Sequence, residues 1–265
     1  YKNGNMNKIT GTSKEAGNKL EHLLSSAVSS QMQSDVPLGA FLSGGVDSST
    51  IVALMQSFSN SKVNTFTIGF NSKEFDEAKH AAQVAKYLGT NHYYKYVTDS
   101  DALNVIPKLP NIYDEPFADS SQIPTFLVSE FAKQKVTVAL SGDAGDELFG
   151  GYNRYIFSEK TLNTILKAPS IIKKLAAKTI FSISEEKWTS LLGGYLNYSF
   201  ANIGNKIHKT ADIMSSKSIR DLHLKLVSQI YNPSEWLKDS CEYKSKLNDD
   251  IVRFEELNSI ESMMA

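Results

Sequence analysis

Leu38-Gly39-Ala40-Phe41-Leu42-Ser43-Gly44-Gly45-Val46-Asp47-Ser48-Ser49 passes from a short apolar run, through two adjacent glycines, into a helix-like stretch that continues to about Phe58. The paired glycines let the backbone turn sharply and bring its N–H groups close to an oxyanion. The helix that follows adds its positive end, and the hydroxyls of Ser43, Ser48 and Ser49 add donors. Such a loop suits phosphate or pyrophosphate. It lacks the Gly-Lys-[Ser/Thr] ending of a P-loop, and it is not the G-x-G-x-x-G of a dinucleotide fold. Asp47 would be misplaced beside a bare anion, but makes sense if magnesium lies between it and the phosphates. A Gly-Gly turn that merely caps a helix would leave this ordered coincidence of strand, glycines, acid and serines unexplained.

A second loop has the same form. Leu140-Ser141-Gly142-Asp143-Ala144-Gly145-Asp146-Glu147-Leu148-Phe149-Gly150-Gly151-Tyr152 follows another apolar run, with acids in place of serines. Carboxylates this close repel one another unless a cation joins them. A solvated acidic turn would account for Glu147, favoured by the helix dipole, but not for the glycines. Ligands of a doubly wound sheet bind beyond the carboxyl ends of its strands, where strand order reverses. If the two strands are neighbours there, Asp47 and Asp146 can share one magnesium ion over a nucleotide.

The surroundings predict that sheet. Val63 to Phe70 and Asn91 to Val97 are strand-like, and Val136 to Leu140 reads as a fully buried strand. Phe75 to Leu88 reads as a helix ended by Gly89, Ser100 to Tyr113 as a helix broken by Pro107 and Pro110, and Ile123 to Lys133 as another. Alternating strands and helices predict an α/β fold, a doubly wound parallel sheet with helices on both faces. Upstream, Thr12 and Glu15 form a capping box. Leu20, Leu23, Leu24, Ala27, Val28 and Met32 follow at helical spacing, predicting one apolar face laid on a core. Beyond Tyr155 the strand signals fade, and Ile156 to Ile180 and Asp212 to Met264 read as mainly helical. Lysines 160, 167, 173, 174 and 178 read as a solvated helix surface. The division expected is 1–36 as lead-in and packing helix, 37–155 as the α/β core, and 156–265 as a helical extension.

Composition narrows the setting. The 265 residues are 41% hydrophobic, ample for a core, and a formal net charge of -1 gives no field towards nucleic acid or an anionic membrane. No apolar run approaches the roughly 20 residues needed to span a bilayer, and no signal peptide is evident. The single Cys241 excludes an internal disulfide and suits a reducing cytoplasm. The chain opens at Tyr1 without methionine and stops inside Ser262-Met263-Met264-Ala265, so it reads as an excised fragment.

Ser43 to Ser49 resembles the pyrophosphate-loop signature of N-type ATP pyrophosphatases, whose fold is HUP-like. Together with Leu140 to Tyr152 it resembles the synthetase domain of glutamine-hydrolysing asparagine synthetases, over about residues 35 to 155. Tyr113-Asp114-Glu115-Pro116-Phe117 is also similar to bacterial members. The resemblance implies ATP and magnesium as cofactors. Leu42 and Ile68 would offer backbone contacts to the adenine, with Ser43, Gly44, Gly45, Ser48 and Ser49 around the phosphates. Ser141 and Gly142 would lie by the ATP, Asp47 and Asp146 would bind magnesium, and Asp143 would handle the aspartyl-adenylate. It further implies aspartate as substrate, and ammonia from an N-terminal glutaminase domain that this chain lacks. Cys241 is in the wrong place to replace the cysteine of that domain. A downstream segment with a catalytic lysine would begin after Ala265. The oligomeric state stays open, a homodimer included. Also open are a related amidotransferase acting on another carboxylate, such as a surface-polysaccharide sugar, and a non-catalytic nucleotide-binding domain. An acid at position 143 favours the asparagine-synthetase-like branch over β-lactam synthetases, which lack one there.

Overall fold

The computed structural model describes residues 7–71, 76–115, 119–153, 155, 168–193, 203–216, 219–228, 237–238, 261 and 264. The chain divides into two compact units, Ile9–Gly145 and a second made of Tyr1–Lys8 with Asp146–Ala265.

The first unit is built on four parallel strands, β1 (Leu38–Phe41), β2 (Asn64–Phe70), β3 (Asn91–Val97) and β4 (Val138–Leu140), in the order β3-β2-β1-β4. The chain moves outward from β1 to β2 to β3, then returns to place β4 on the far side of β1, with Ala40 opposite Leu140. Strand order therefore reverses between β1 and β4. Around the sheet lie α1 (Ser13–Gln31), α2 (Val46–Phe58), α3 (Ala78–Leu88), α4 (Asp99–Val105), α5 (Leu109–Ile112) and α6 (Gln122–Ala132).

Side chains alternate across a strand, so each strand feeds two cores. Ala40 and Leu42 pack with Val28 of α1, Val52 and Met55 of α2, and Ala81 and Ala85 of α3. On the other face Phe41 and Phe66 meet Val128, Phe131 and Ala132 of α6. Phe66 is fully buried, stacked on Tyr93 at 5.4 Å and edge-on to Phe131 at 5.9 Å. Burying a side chain of this size contributes about 1.5–3 kcal/mol. Both faces are covered, as the alternating pattern requires.

Local signals hold where they depend on local sterics. Thr12 and Glu15 form the capping box, and Gly89 ends α3 in the left-handed conformation at φ 73°. Pro107 sits in a 3-10 turn, Ile106–Lys108, that separates α4 from α5. Two expectations fail. β4 is shorter than Val136 to Leu140 and is not fully buried: Val138 is 40% exposed, because β4 is an edge strand among the described residues. In α1 only Val28 is buried, while Leu20 and Leu23 stay exposed. Nineteen residues extend about 28 Å, and only the last turns reach the sheet-side core.

The second unit is helical where it is described: α8 (Ser170–Phe181), α9 (Glu185–Gly193), α10 (Ile203–Met214) and α11 (Ile219–Val227), after the short helix α7 (Gly145–Phe149). Trp188 donates its indole N–H to the Ile180 carbonyl at 3.0 Å, and the Lys225 ammonium caps α10 by donating to the Asp212 carbonyl at 3.0 Å. Lys174 and Lys178 are exposed, in keeping with a solvated face. The expected helix over 156–167, most of that over 212–264, Lys160, Lys167, Phe75, Pro116, Phe117 and Cys241 lie outside the described residues. No described helix is long and apolar enough to cross a membrane.

One buried network is pH-sensitive. Thr65 Oγ1 is hydrogen-bonded to Thr90 Oγ1 at 3.1 Å and His92 Nδ1 at 3.0 Å, while His92 Nε2 is buried without a partner. Burial holds the imidazole below its ordinary value of 6.5. The unfolded chain therefore binds the proton more readily, so this stabilisation is complete above pH 6.5 and is lost as pH falls through the folded value. Thermal melts from pH 8 to 5 are expected to fall below pH about 6.5, and to fall less steeply for His92→Gln. Equal slopes would remove His92 from the account.

Candidate active site

Thirteen residues of α2 begin directly on the glycine loop, with Gly45 as N-cap in an extended conformation at φ -70° and ψ 164°. Gly45 brings no side chain, and no side-chain hydrogen bond caps the helix. First-turn N–H groups have no intrahelical acceptor, so this helix end suits an anionic ligand. Ser43, Gly44 and Gly45 thus lead into an open helix start that carries Asp47 in its first turn.

The two glycines do different work. Gly44 has φ +85°, and a Cβ there would fall 2.7 Å from the Ala81 nitrogen and 2.9 Å from the His80 carbonyl carbon. It lets the loop lie against the start of α3. A Cβ on Gly45 would meet only Ser43 Oγ, at 3.3 Å, so its absence keeps the outer side of the loop open. The serines mostly close the loop on itself. Ser43 Oγ and Ser48 Oγ lie 2.9 Å apart, the Ser43 N–H donates to Ser48 Oγ at 3.2 Å, and the Gly45 N–H donates to Ser43 Oγ at 3.2 Å. Ser49 Oγ is buried and unpartnered, a polar atom left for a ligand or water.

Because β4 lies beside β1, the second loop reaches the same place. A Cβ on Gly142 would fall 2.6 Å from the Ser48 nitrogen, and one on Gly145 would fall 2.5 Å from Asp47 Cγ. The second loop therefore rests its glycine backbone on the first turn of α2. Ser141 Oγ donates to Asp143 Oδ2 at 2.9 Å, fixing that carboxylate over the turn. Between them Ala144 adopts φ 72°, a left-handed conformation that costs an L-residue about 1–2 kcal/mol. Strain of this kind persists only where the surroundings enforce it, here the contacts of Gly142 and Gly145.

Leu42 stands at the junction of β1 and the loop. Its N–H donates to the Phe66 carbonyl at 3.0 Å, and its own carbonyl accepts a hydrogen bond from the buried Thr67 hydroxyl. Ile68, one residue further along β2, packs its side chain into the core beside Phe66.

The fold thus gathers Leu42, Ser43, Gly44, Gly45, Asp47, Ser48, Ser49, Ser141, Gly142 and Asp143 around the β1–β4 reversal, with Ile68 on the adjoining strand. Asp146 belongs to the second unit, where its carbonyl accepts from the Gly151 N–H at 3.0 Å. Among the described residues no group of three or more His, Cys, Asp or Glu is gathered to hold a metal. A magnesium ion held by one or two carboxylates and substrate phosphates needs no such group. Sequence reading missed Thr67 and Gly145. Gly145 had a legible signal as a further glycine in an acid-rich loop; Thr67 looked like an ordinary strand residue.

A cleft of about 970 Å³ opens at the carboxyl ends of β2 and β3, lined by Phe70, Val97, Asp99, Ser100, Ser120 and Ile123 among others.

The sequence profile of the asparagine synthase family matches residues 19–249, well over half of the chain. A Methanocaldococcus jannaschii protein named "Putative asparagine synthetase (glutamine-hydrolyzing) 2" is 46% identical over 165 residues, 62% of this chain and 31% of that protein. Asparagine synthetase (glutamine-hydrolyzing) 1 of Bacillus subtilis is 42% identical over 149 residues, 56% of this chain and 23% of its own length. The match thus spans about a third or less of these relatives. An NH3-dependent NAD synthetase structure from Campylobacter jejuni aligns with a TM-score of 0.36 at 14% identity, over 75% of this chain and 96% of that one, too remote a likeness to carry an inference. With the profile matched over most of its length, the chain belongs to the asparagine synthase family.

Proposed function

We propose that the first unit binds ATP and activates the side-chain carboxylate of aspartate for conversion to asparagine. The observation that carries this reading is the uncapped start of α2, bearing Asp47 and backed by the glycines of the second loop. The names of the relatives support the substrate.

Hydroxide is too poor a leaving group for ammonia to displace it from a carboxylate. In the proposed path an aspartate carboxylate oxygen attacks the α-phosphorus of ATP, and the bond to the bridging oxygen breaks to release pyrophosphate. The Ser43 loop and the first-turn N–H groups of α2 receive that leaving group as its charge develops. Ammonia then attacks the acyl carbon, AMP departs with the bonding electrons, and the nitrogen loses a proton. Asp143, held by Ser141, is assigned to the nitrogen side. Asp47 would hold a magnesium ion that supplies charge neutralisation on the phosphates. In the whole protein the ammonia would come from a glutaminase domain.

Asp47→Asn is expected to weaken magnesium-dependent ATP binding about tenfold or more, the scale of one lost charge-assisted contact, with the melting temperature little changed. Calorimetry with and without magnesium checks it, and an unchanged affinity would sink the metal role. In the full-length protein, pyrophosphate release that depends on aspartate, and not on another carboxylate, separates this reading from a sugar amidotransferase. No release at all would favour a binding domain.

A further inference from the structure

We infer that His80 contacts the pyrophosphate leaving group, donating to its oxygens from the first turn of α3. This rests on the reading of the first unit as an ATP site. Leu38 to Ser49 and Leu140 to Tyr152 together hold Asp47, Asp143, Asp146 and Glu147, and no lysine, arginine or histidine. Pyrophosphate carries several negative charges, and the charge of a magnesium ion on Asp47 is partly taken up by that carboxylate. Backbone N–H groups at a helix start add only partial charge. A donor side chain beside the Ser43 loop would supply what the two loops lack.

His80 is seated there. A Cβ on Gly44 would fall 2.9 Å from His80 Cβ, so the loop lies against the root of this side chain. α3 follows β2 and begins beyond its carboxyl end, the side on which ligands of a doubly wound sheet bind. Helical side chains lean towards the N-terminus of their helix, so the imidazole leans to that side. His80 is exposed, and among the described residues its ring has no hydrogen-bond or ionic partner. Its neighbours are engaged with one another. Asp76 Oδ2 lies 3.8 Å from Lys79 Nζ and accepts from the Tyr96 hydroxyl at 3.3 Å, while Asp76 Oδ1 accepts from the Ala78 N–H at 3.3 Å. Lys79 is thus drawn to Asp76, and the ring of His80 is left for a ligand. A neutral imidazole donates one N–H, and a protonated one donates two and brings a charge. As the bond from the α-phosphorus to the bridging oxygen breaks, negative charge grows on the departing group, and the imidazole N–H donates to one of its oxygens. No proton is transferred in this contact.

The test uses the full-length protein and compares wild type with His80→Phe, His80→Ala and His80→Lys. Calorimetry measures the affinity of each for magnesium pyrophosphate, magnesium ATP and AMP, with melting curves alongside. His80→Phe keeps a ring without its N–H groups, and it should weaken pyrophosphate and ATP about tenfold, the scale of one hydrogen bond to a charged group. His80→Ala should match it, and His80→Lys, which restores a donor and a charge, should stay within about threefold of wild type. AMP lacks the two outer phosphates and should bind all four proteins alike. Unchanged affinity for pyrophosphate and ATP in His80→Phe and His80→Ala would overturn the role of His80 and leave the ATP site standing. Equal losses for AMP and ATP would overturn it too, because the residue would then act through the shape of the loop. A wild type that binds neither ATP nor pyrophosphate would overturn the ATP site and this inference with it.

Discussion

In the full-length protein, asparagine in place of Asp143 is expected to leave ATP affinity within about threefold of wild type while lowering amide formation by about a hundredfold or more, the scale of a lost general base. The substitution is a clean one because the Ser141 hydroxyl can still donate to the amide oxygen of the introduced asparagine, so the turn keeps its hydrogen bond. What disappears is the negative charge and the ability to take a proton. A carboxylate beside triphosphate raises the cost of binding ATP, so its presence in this loop needs a use elsewhere in the reaction. Glu147, by contrast, sits within the first turn of α7, where the helix dipole favours an acid whatever the chemistry. The measurement supplies ammonium directly as the nitrogen source and quantifies asparagine by mass spectrometry, with ATP affinity from calorimetry. If binding and product formation fall together, Asp143 is a nucleotide or metal ligand instead.

Gly142→Ala is expected to damage both the fold and the site. The added methyl would lie 2.6 Å from the Ser48 nitrogen, 2.8 Å from the Asp47 carbonyl carbon and 2.9 Å from the Ser48 Cα. All three are backbone atoms at the start of a helix, so no flexible side chain can swing aside. Either the second loop lifts or the first turn of α2 shifts, and each moves Asp47. Overpacking of this kind costs about 1–3 kcal/mol, on the order of 2–12 °C in melting temperature for a domain of this size. ATP affinity should fall at least tenfold with it. Gly45→Ala provides the contrast, since its methyl meets only Ser43 Oγ at 3.3 Å. That variant should melt within a degree or two of wild type yet bind ATP more weakly, because the methyl stands on the open side of the loop. Should Gly142→Ala melt and bind like wild type, the contact between the loops is not the one that holds Asp47.

Much of the site was legible along the chain because its parts answer to local rules. A run of β-branched and aromatic residues makes a strand wherever it is buried. Glycine is read at Gly44 and Gly89 because φ values of 85° and 73° suit it and few others. The capping box at Thr12 needs only residues three apart. Ala144 shows the limit of that logic. Its φ of 72° is a glycine's conformation in an alanine, imposed by contacts on either side and not by its own preference.

The sequence by itself determined the elements, the two glycine-rich loops, the parallel sheet and the residue types offered to chemistry, since periodicity and backbone sterics act within a few residues. Only the tertiary structure decided that β4 lies against β1, which brings Gly142 and Gly145 onto Asp47 from about a hundred residues away. It also decided that the Thr67 hydroxyl reaches Leu42, a bond between positions 25 apart. The exposure of Val138 and of the first turns of α1 was settled at the same level. The physical reason is common to all of these. A strand's hydrophobic pattern says that it will be covered, but not by which neighbour, and the free energy that chooses among neighbours comes from packing summed over the whole sheet.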